Sequence, residues 1–430
     1  MSPSASPTRV SSASRLAGVE GLRALAAASI VVYHCWRYSA HDGTAVDLGP
    51  LSRFVLPHLP VGVTLFFTLS GFLLYRPLAA AVLRQTPQPS VRRYLRNRAL
   101  RILPAYWAIL LATSVLLPAA LVRRSPTTLE LGRLIGQPFV LLSNAALLQN
   151  YVPGALDTGI GPAWSLAVEI IFYLVLPLLG WLAAACARRA STPSGRGWAV
   201  LVPVVVVFLV GLAHKAIFSW LAGSAGYWPA MLARSFAYHA DLFAFGMALA
   251  TLRISLEDGS IRLPVWWRKA AGAALALLVV LTVLLSDRGL LPAWGVVNPY
   301  QRLTALSCAL LLAIVVLPDD PESATLPLLT RLLETRLLVA VGLASYSLFL
   351  WHEPIVRLLQ HQHLTADGVG GFWVNLVLLG LVSGGLSALT FRWVERPALS
   401  RKARDPDERR VHSRVAGGML SMAGKHRRRA

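Results

Sequence analysis

Residues 20 to 34, EGLRALAAASIVVYH, form an apolar stretch that carries three ionisable side chains, Glu20, Arg23 and His34. At about 100° per residue, the eleven steps from Arg23 to His34 make about three helical turns, so both side chains lie on one face, about 16 Å apart. Glu20 precedes Arg23 by three residues, shares that face and can pair with it. Because a charge facing lipid is costly, we predict that this polar stripe faces protein or water and marks a functional site.

The composition around this stretch excludes an ordinary soluble domain. The chain has 430 residues, 55% of them hydrophobic and 14% charged, with a mean hydropathy of +0.57. Apolar runs long enough to cross a bilayer as helices recur along the whole length. We therefore predict an all-α polytopic bundle of about ten transmembrane helices, over residues 19–38, 60–82, 99–120, 164–187, 198–217, 236–252, 269–286, 302–317, 337–357 and 372–394.

The distribution of charge predicts the orientation of these spans. The net charge is +21, and basic residues concentrate after the second, fourth and sixth spans and after the tenth. Because basic residues collect in cytoplasmic loops, we predict a protein of the cell (cytoplasmic) membrane with both termini in the cytoplasm. The acidic loop with Asp319, Asp320 and Glu322 departs weakly from this pattern. The charge is explained by topology, so the lipid bilayer is the expected partner and nucleic acid is not.

The chain divides into three predicted segments. Residues 1–18 are a cytoplasmic N-terminal tail, residues 19–397 are the transmembrane domain, and residues 398–430 are a basic, disordered cytoplasmic tail. The loop of residues 121–163 contains a short apolar stretch, Leu134 to Leu148, that we interpret as an interfacial or re-entrant helix. The Gly/Pro segment that follows, Pro153 to Pro162, can shape the mouth of a pocket. Cys35, Cys186 and Cys308 all lie in apolar runs and are expected to be buried small residues.

Two of the candidate sites each have a structural alternative. A neutral imidazole at His34 can take a proton from a hydroxyl near neutral pH, or it can be a core histidine bonded to a neighbouring helix. Arg23 can equally be an anchor paired with Glu20. Arg98 and Arg101 stand three residues apart at the start of a helix, where they can form a fork for phosphate oxygens or serve only as a topological signal.

Two further stretches place polar groups inside apolar helices. In the segment of residues 164–173, which begins with Trp164 and Ser165, Glu169 must face the bundle, where it can pair with an arginine or orient a substrate hydroxyl. Near the end, residues 342–354 include Ser345, Tyr346, Ser347, Trp351, His352 and Glu353. Asp241 is a weaker signal of the same kind. The spacing of His352, His361 and His363 does not demand zinc, and we predict no metal site.

Taken together, these stretches resemble the acyltransferase-3 family of integral membrane O-acyltransferases, in the stand-alone form without a fused hydrolase-like domain. The resemblance covers residues 18 to 400 and rests on the order of its motifs. These are Glu-Gly-Leu-Arg with a histidine eleven residues after the arginine, residues 66–74, Arg98 and Arg101 running into Ile102 to Trp107, residues 164–173, residues 345–352, and Val394 to Pro397. Glu20 stands where we more often expect aspartate, which is a conservative departure.

The resemblance implies an activity and roles for these residues. It implies transfer of an acyl group, expected to be acetyl, from cytoplasmic acyl-CoA to a hydroxyl of a glycan, a lipid-linked sugar or a glycosylated natural product, with no permanently bound cofactor. His34, Glu20, Arg23 and Glu169 are then the expected catalytic residues. The expected substrate-binding residues are Arg98, Arg101, Trp164, Ser165, Tyr346 and His352.

Several points stay open at this stage. Direct transfer and an acyl-His34 intermediate both fit the sequence. A transporter or exporter with a protonatable intramembrane network is the alternative class, and it explains the buried charges but not the arginine cluster joined to a helix start. A non-catalytic scaffold does not account for a glutamate, an arginine and a histidine on one face. The acceptor, the acyl length, the membrane face that presents the acceptor and the oligomeric state are not defined by the sequence.

Overall fold

The computed structural model describes residues 16–38, 45–125, 128–221, 223, 226–290, 299–318 and 327–401. Within these residues the chain is almost entirely helical. The helices are α1 (Val19–Tyr38), α2 (Pro50–Phe54), α3 (Val61–Leu83), α4 (Val91–Leu111), α5 (Pro138–Ala145), α6 (Ala163–Ala187), α7 (Pro193–Leu221), α8 (Trp228–Ala233), α9 (Phe236–Glu257), α10 (Trp267–Asp287), α11 (Pro299–Val316), α12 (Leu328–Leu333), α13 (Arg336–His361), α14 (Gly368–Thr390) and α15 (Arg396–Ser400). Two short strands, β1 (Ala120–Arg123) and β2 (Leu129–Gly132), form the single sheet of the described residues.

The fold is an all-α polytopic membrane bundle, as the sequence predicts. Seven of the described helices, or helices joined to a neighbouring turn, are long and apolar enough to cross a membrane, and α11 is a shorter apolar helix. Together with α1 and α9, the long helices of the described residues match the ten predicted spans in place and order. The two predicted tails, residues 1–18 and 398–430, lie largely outside the described residues.

The helix directions agree with alternate crossings of the membrane. The first and ninth long helices, α1 and α13, run side by side in the same direction, because Gly342 packs on the backbone of Glu20 while His352 contacts His34. Consecutive helices α7 and α9 run in opposite directions, with Gly211 packed against Asp241 near their crossing. Only a residue without a β-carbon fits at such close approaches between helix backbones.

The bundle has two chemically different ends. At the basic end, which holds the N-terminus of α1 and the Arg-rich start of α4, Arg84 pairs with Asp258 at 2.9 Å. This hydrogen-bonded carboxylate raises the pKa of the Arg84 guanidinium above its ordinary value. At the histidine end, which holds the C-terminal turns of α1 and α13, the side chain of His58 lies 3.0 Å from the Tyr300 hydroxyl. We predict that the basic end is cytoplasmic, from the positive charge alone.

The segment between α4 and α6 differs from the prediction. The single apolar helix expected over Leu134–Leu148 is shorter, covering only the eight residues of α5. Before it, β1 and β2 pair antiparallel, with Ala120 opposite Gly132, and the backbone of Leu121 bonds to Gly159 in both directions. The third span begins and ends earlier than the predicted 99–120, since α4 starts at Val91, ends at Leu111 and continues as one wider turn to Leu116. The β1–β2 hairpin and α5 together form a structured cap over the histidine end of the bundle.

Candidate active site

Arg23 is held on the inner face of α1 by two neighbours. Its guanidinium lies 3.6 Å from Glu20, one turn earlier in the same helix, as the sequence predicts. From α13, the Ser345 hydroxyl accepts hydrogen bonds from Nε at 3.3 Å and from one terminal nitrogen at 3.2 Å. A charged group inside a bundle is stabilised when its donors are occupied and an opposite charge lies close. Arg23 is therefore placed and kept ionised within the protein.

A cavity of about 110 Å³ opens beside Arg23, and we call it the basic cavity. It is formed by α1, α3, α4, α6 and α13. Its polar lining consists of Arg23, Ser70, Arg98, Arg101, Ser165, Glu169, Tyr173, Ser345 and Tyr346. Three arginines against a single glutamate give this lining an excess of positive charge, which suits an anionic ligand.

Arg98 provides a specific indication of a missing anionic partner in the basic cavity. Its guanidinium lies near the rings of Tyr94 and Tyr173, at 6.0 and 5.8 Å from their centroids. Its Nε atom is buried and has no hydrogen-bond partner among the described residues. A buried guanidinium donor left without an acceptor is costly, and an anion bound in the cavity would satisfy it.

Glu169 enters the same cavity from α6. The Ser70 hydroxyl of α3 donates a hydrogen bond to one of its carboxylate oxygens. On the opposite wall, the Tyr346 hydroxyl donates to the Ile102 carbonyl oxygen at 3.0 Å and so ties α13 to α4. Ser347, the next residue, donates to the buried carboxylate of Glu395 in the turn after α14. Three consecutive residues of α13 therefore bond to three different parts of the bundle.

His34 lies outside the basic cavity, near the histidine end of the bundle. Its Nδ1 is 2.7 Å from the Nε2 of His352, and the two rings are almost parallel, at 9°. The side chain of His34 is 16% exposed, so its ring is packed against protein rather than turned away from the bundle. The structure therefore places His34 against a second histidine that the sequence had assigned to substrate binding.

The hydrogen-bond partners of His34 and His352 indicate which nitrogen of each ring carries a proton. Nδ1 of His352 lies 3.2 Å from the Leu348 carbonyl oxygen, which only accepts, so Nδ1 carries the proton. Nε2 of a neutral His352 then accepts, and the Nδ1–H of His34 donates to it. This assignment leaves the lone pair of His34 on Nε2, which has no hydrogen-bond partner among the described residues. The arrangement presents His34 as a proton acceptor.

Glu353 and Arg357 surround the pair from the last turns of α13. A carboxylate oxygen of Glu353 lies 3.8 Å from His34 Nδ1, and the other accepts from Arg357 Nε at 2.7 Å. The Arg357 guanidinium also lies 3.8 Å from the centroid of Tyr38, whose ring stacks on His34. Gly161 presses on the Glu353 carboxylate so closely that an added β-carbon would lie 2.5 Å from both oxygens. The loop before α6 therefore fixes Glu353.

Phe349 connects the two polar regions. Its ring lines the basic cavity, and it lies 5.8 Å from both the Phe66 ring and the His352 ring, measured between centroids. One aromatic side chain therefore stands between the cavity and the histidine pair.

The structure brings together most of the predicted site residues, in two groups. Arg23, Arg98, Arg101, Ser165, Glu169 and Tyr346 line the basic cavity, with Glu20 paired to Arg23 just behind it. His34 and His352 form the second group. Trp164 does not itself line the basic cavity but packs behind it, because its ring contacts Phe67 of the lining as well as His239 and the guanidinium of Arg234.

Some residues of these two groups escaped the sequence reasoning. Glu353 and Ser345 stood in a singled-out motif but received no role, and Arg357 and Tyr38 were missed. A signal for Arg357 was present, since a glutamate and an arginine four residues apart on an apolar helix can pair. Among the described residues, no set of three or more His, Cys, Asp or Glu side chains is arranged to hold a metal ion.

Comparisons with known proteins agree with the motifs. A family model described as "Acyltransferase domain", of the acyltransferase-3 type, matches residues 16–393. The chain is 22% identical over 387 residues to the O-acetyltransferase OatA of Staphylococcus aureus (strain NCTC 8325 / PS 47), covering 89% of this chain and 57% of that protein. It is 26% identical over 401 residues to the putative peptidoglycan O-acetyltransferase YrhL of Bacillus subtilis (strain 168), covering 88% of this chain and 54% of that protein. The chain thus spans little more than half the length of these relatives. No solved structure matches it.

Proposed function

The chain belongs to the acyltransferase-3 family, and from that premise we propose that it is a membrane O-acyltransferase that uses acyl-CoA, with acetyl-CoA as the expected donor. The acceptor is a hydroxyl of a glycan, a lipid-linked sugar or a glycosylated natural product. The relatives named as O-acetyltransferases support acetyl as the transferred group, and the name of the Bacillus relative supports a glycan acceptor. With the basic end in the cytoplasm, the donor reaches the basic cavity from the cytosol.

The observation that carries this proposal is the pairing of a cationic cavity with an unprotonated imidazole nitrogen one aromatic layer away. Arg98 and Arg101 bind the phosphates of CoA, and the buried Nε of Arg98 is one donor that a phosphate oxygen satisfies. The thioester end continues along α1 toward His34, a distance of about 16 Å from Arg23. It passes Phe349, the side chain that contacts both the cavity and His352.

The chemistry follows from the protonation of the histidine pair. Nε2 of His34 takes the proton of the acceptor hydroxyl while that oxygen attacks the thioester carbonyl carbon. The carbon–sulfur bond then breaks, and the CoA thiolate takes the proton back from His34. A general base of this kind contributes typically about 10²- to 10⁴-fold to the rate. An acyl-His34 intermediate would use the same nitrogen as nucleophile.

The remaining polar residues position the reactants. His352 and Glu353 both face Nδ1 of His34, so they stabilise the imidazolium that forms when Nε2 accepts a proton. Arg23, held by Glu20 and Ser345, lies along the path of the donor, and Glu169 enters the basic cavity from α6 beside Ser165, where it orients a substrate hydroxyl. Tyr346 forms part of the opposite wall.

The test is acyl transfer by the purified protein in lipid nanodiscs with isotope-labelled acetyl-CoA. We expect release of free CoA and labelling of a cell-wall saccharide fraction added as acceptor. Mass spectrometry of glycans and secreted metabolites from a deletion strain then identifies both groups, because the natural product loses one acyl unit. Absence of both CoA release and labelling would reject the enzyme and favour a transporter.

A further inference from the structure

A second cleft, of about 360 Å³, opens at the histidine end, between the β1–β2 hairpin and the last turn of α13. We call it the hairpin cleft. It is lined by Leu129, Glu130, Leu131, Arg357, Gln360 and His361, among others. We infer that the hairpin cleft binds the acyl acceptor, and that this acceptor is a neutral saccharide. The inference rests on the proposed acyl transfer and adds to it the place and the chemical class of the second substrate.

The charge of the cleft differs from that of the basic cavity. Arg357 and Glu130 supply one positive and one negative charge to the lining. Arg357 is in addition neutralised from within by Glu353, whose carboxylate it contacts at 2.7 Å. A multiply charged anion would gain little here, because the cation that faces it already has its counter-charge. The cleft therefore suits an uncharged polar ligand.

The hydrogen-bonding groups of the cleft match a polyhydroxylated ligand. A sugar hydroxyl both donates and accepts, and the lining offers the acceptor Glu130, the donor Arg357, and Gln360, which does both. Leucines from the hairpin form the apolar surface, against which the apolar C–H faces of a sugar ring can lie, and the imidazoles of His361 and His363 complete the lining. Ligand sites generally combine such apolar walls with a few well-placed polar groups.

The cleft is connected to His34 by direct side-chain contacts. Arg357 lines the cleft and also lies over the Tyr38 ring, at 3.8 Å from its centroid. Tyr38 stacks on His34, with 5.4 Å between centroids. Two stacked side chains, Arg357 and Tyr38, thus lie between the cleft and the imidazole, so the acceptor hydroxyl must extend from the bound saccharide past them to reach Nε2 of His34. The basic cavity lies on the other side of Phe349.

The hairpin and the Glu353 carboxylate are fixed by the same loop. The backbone of Leu121 in β1 exchanges two hydrogen bonds with Gly159, at 2.9 and 2.8 Å. Two residues later, Gly161 packs on the Glu353 carboxylate. One wall of the cleft and the carboxylate beside His34 are therefore held at a set separation, as a site that must align an acceptor with a base requires.

The first experiment measures binding without any donor. Gln360→Cys is made in a background carrying Cys186→Ser, because Cys35 and Cys308 are buried. The protein in nanodiscs is labelled with a charged maleimide, with and without N,N′-diacetylchitobiose as a neutral saccharide probe. We expect saturating probe to slow labelling at least about tenfold, as occupancy above nine-tenths requires. The matched control, Gln362→Cys on the exposed turn beside the cleft, is expected to label at the same rate with and without probe.

The second experiment separates the cleft from the donor site. Gln360→Trp fills the cleft, and we expect it to raise the KM for the saccharide acceptor at least about tenfold while acetyl-CoA hydrolysis without acceptor stays unchanged. Gln362→Trp is the matched control.

The outcomes distinguish the two proposals. Equal labelling of Gln360→Cys with and without probe, or protection by inorganic phosphate instead of the saccharide, would overturn the cleft assignment even if the protein transfers acetyl groups. Protection by the saccharide in a protein that releases no CoA would overturn the proposed acyl transfer and leave the saccharide site standing.

Discussion

The basic cavity, beside the middle of α13, and the hairpin cleft, at its C-terminal end, differ in charge and in their relation to His34. The basic cavity is lined by three arginines and a glutamate, and it contains a buried guanidinium nitrogen with no partner among the described residues. The hairpin cleft is charge-balanced, and its cation already has a carboxylate partner. The proposed division of labour, in which the basic cavity holds an anionic carrier and the hairpin cleft a neutral polyol, rests on this difference. His34 lies beside the boundary between them.

The largest expected effect comes from replacing His34, the residue that lies between the two cavities. His34→Ala is expected to lower acyl transfer about 10²- to 10⁴-fold. The unprotonated nitrogen that remains, Nε2 of His352, lies beside Nδ1 of His34 and not at the position of its Nε2. The amount of folded protein in membranes and the binding of acetyl-CoA should be retained. The measurement is labelled acetyl transfer. His58→Ala, at the same end but bonded to Tyr300, is the matched control and should keep activity. Full transfer by His34→Ala would mean that the imidazole has no chemical role.

A second prediction removes charge from the basic cavity. Arg101→Ala is expected to raise the KM for acetyl-CoA about 10- to 100-fold, since a hydrogen bond to a charged group is worth about 1.5 to 3 kcal/mol. The acceptor KM should not change. Arg96→Ala is the control, because this exposed arginine of the same helix lies outside the cavity lining. If both substitutions have the same effect, the cluster acts only through overall charge.

A third prediction tests whether the loop before α6 fixes Glu353. The added methyl group in Gly161→Ala would overlap both oxygens of the Glu353 carboxylate, so the carboxylate must leave its present position beside His34. We expect kcat to fall about tenfold with the KM for acetyl-CoA unchanged, since small displacements at a reacting centre cost rate. Gly154→Ala provides the comparison, because a β-carbon there meets nothing within 4 Å. Unchanged kcat in Gly161→Ala would show that the position of Glu353 does not matter.

The smallest expected effect concerns Ser345. Ser345→Ala removes the hydroxyl that accepts from Arg23, a loss of about 1 kcal/mol. Donor affinity should fall about fivefold, measured as the KM for acetyl-CoA, with little change in thermal stability. Ser307→Ala is the matched control, because that hydroxyl bonds only within its own helix, to the Leu303 carbonyl. A larger loss of stability than of affinity would assign Ser345 to folding alone.

The sequence predicts the bundle well because its signals are local. Hydropathy gives the long helices, and the eleven-residue spacing places Arg23 and His34 on one face, as the contacts of both with α13 confirm. The β1–β2 hairpin was missed because strands of four residues carry little periodicity. The role predicted for Trp164 stays a prediction, because its ring packs in an aromatic cluster with Phe67, and an aromatic ring fits such a cluster as well as it fits a ligand.

What the sequence could not provide is the meeting of α1 with α13. The two helices are more than 300 residues apart, so the contacts of His34 with His352 and Glu353 depend on tertiary packing. The same is true of Gly161, whose importance follows only from the carboxylate that lies against it. Spacing rules relate residues within one helix and say nothing about which helices pack together.

The three hydroxyls of Ser345, Tyr346 and Ser347 have a mechanical consequence. Successive residues of a helix point about 100° apart. The hydrogen bonds to Arg23, Ile102 and Glu395 therefore hold α13 from three directions around its axis. Any twist of the helix about its axis would strain all three at once. If the proposed substrates bind, we expect them to enter by movement of aromatic side chains and loops, because these three bonds hold the part of α13 that precedes His352 in place.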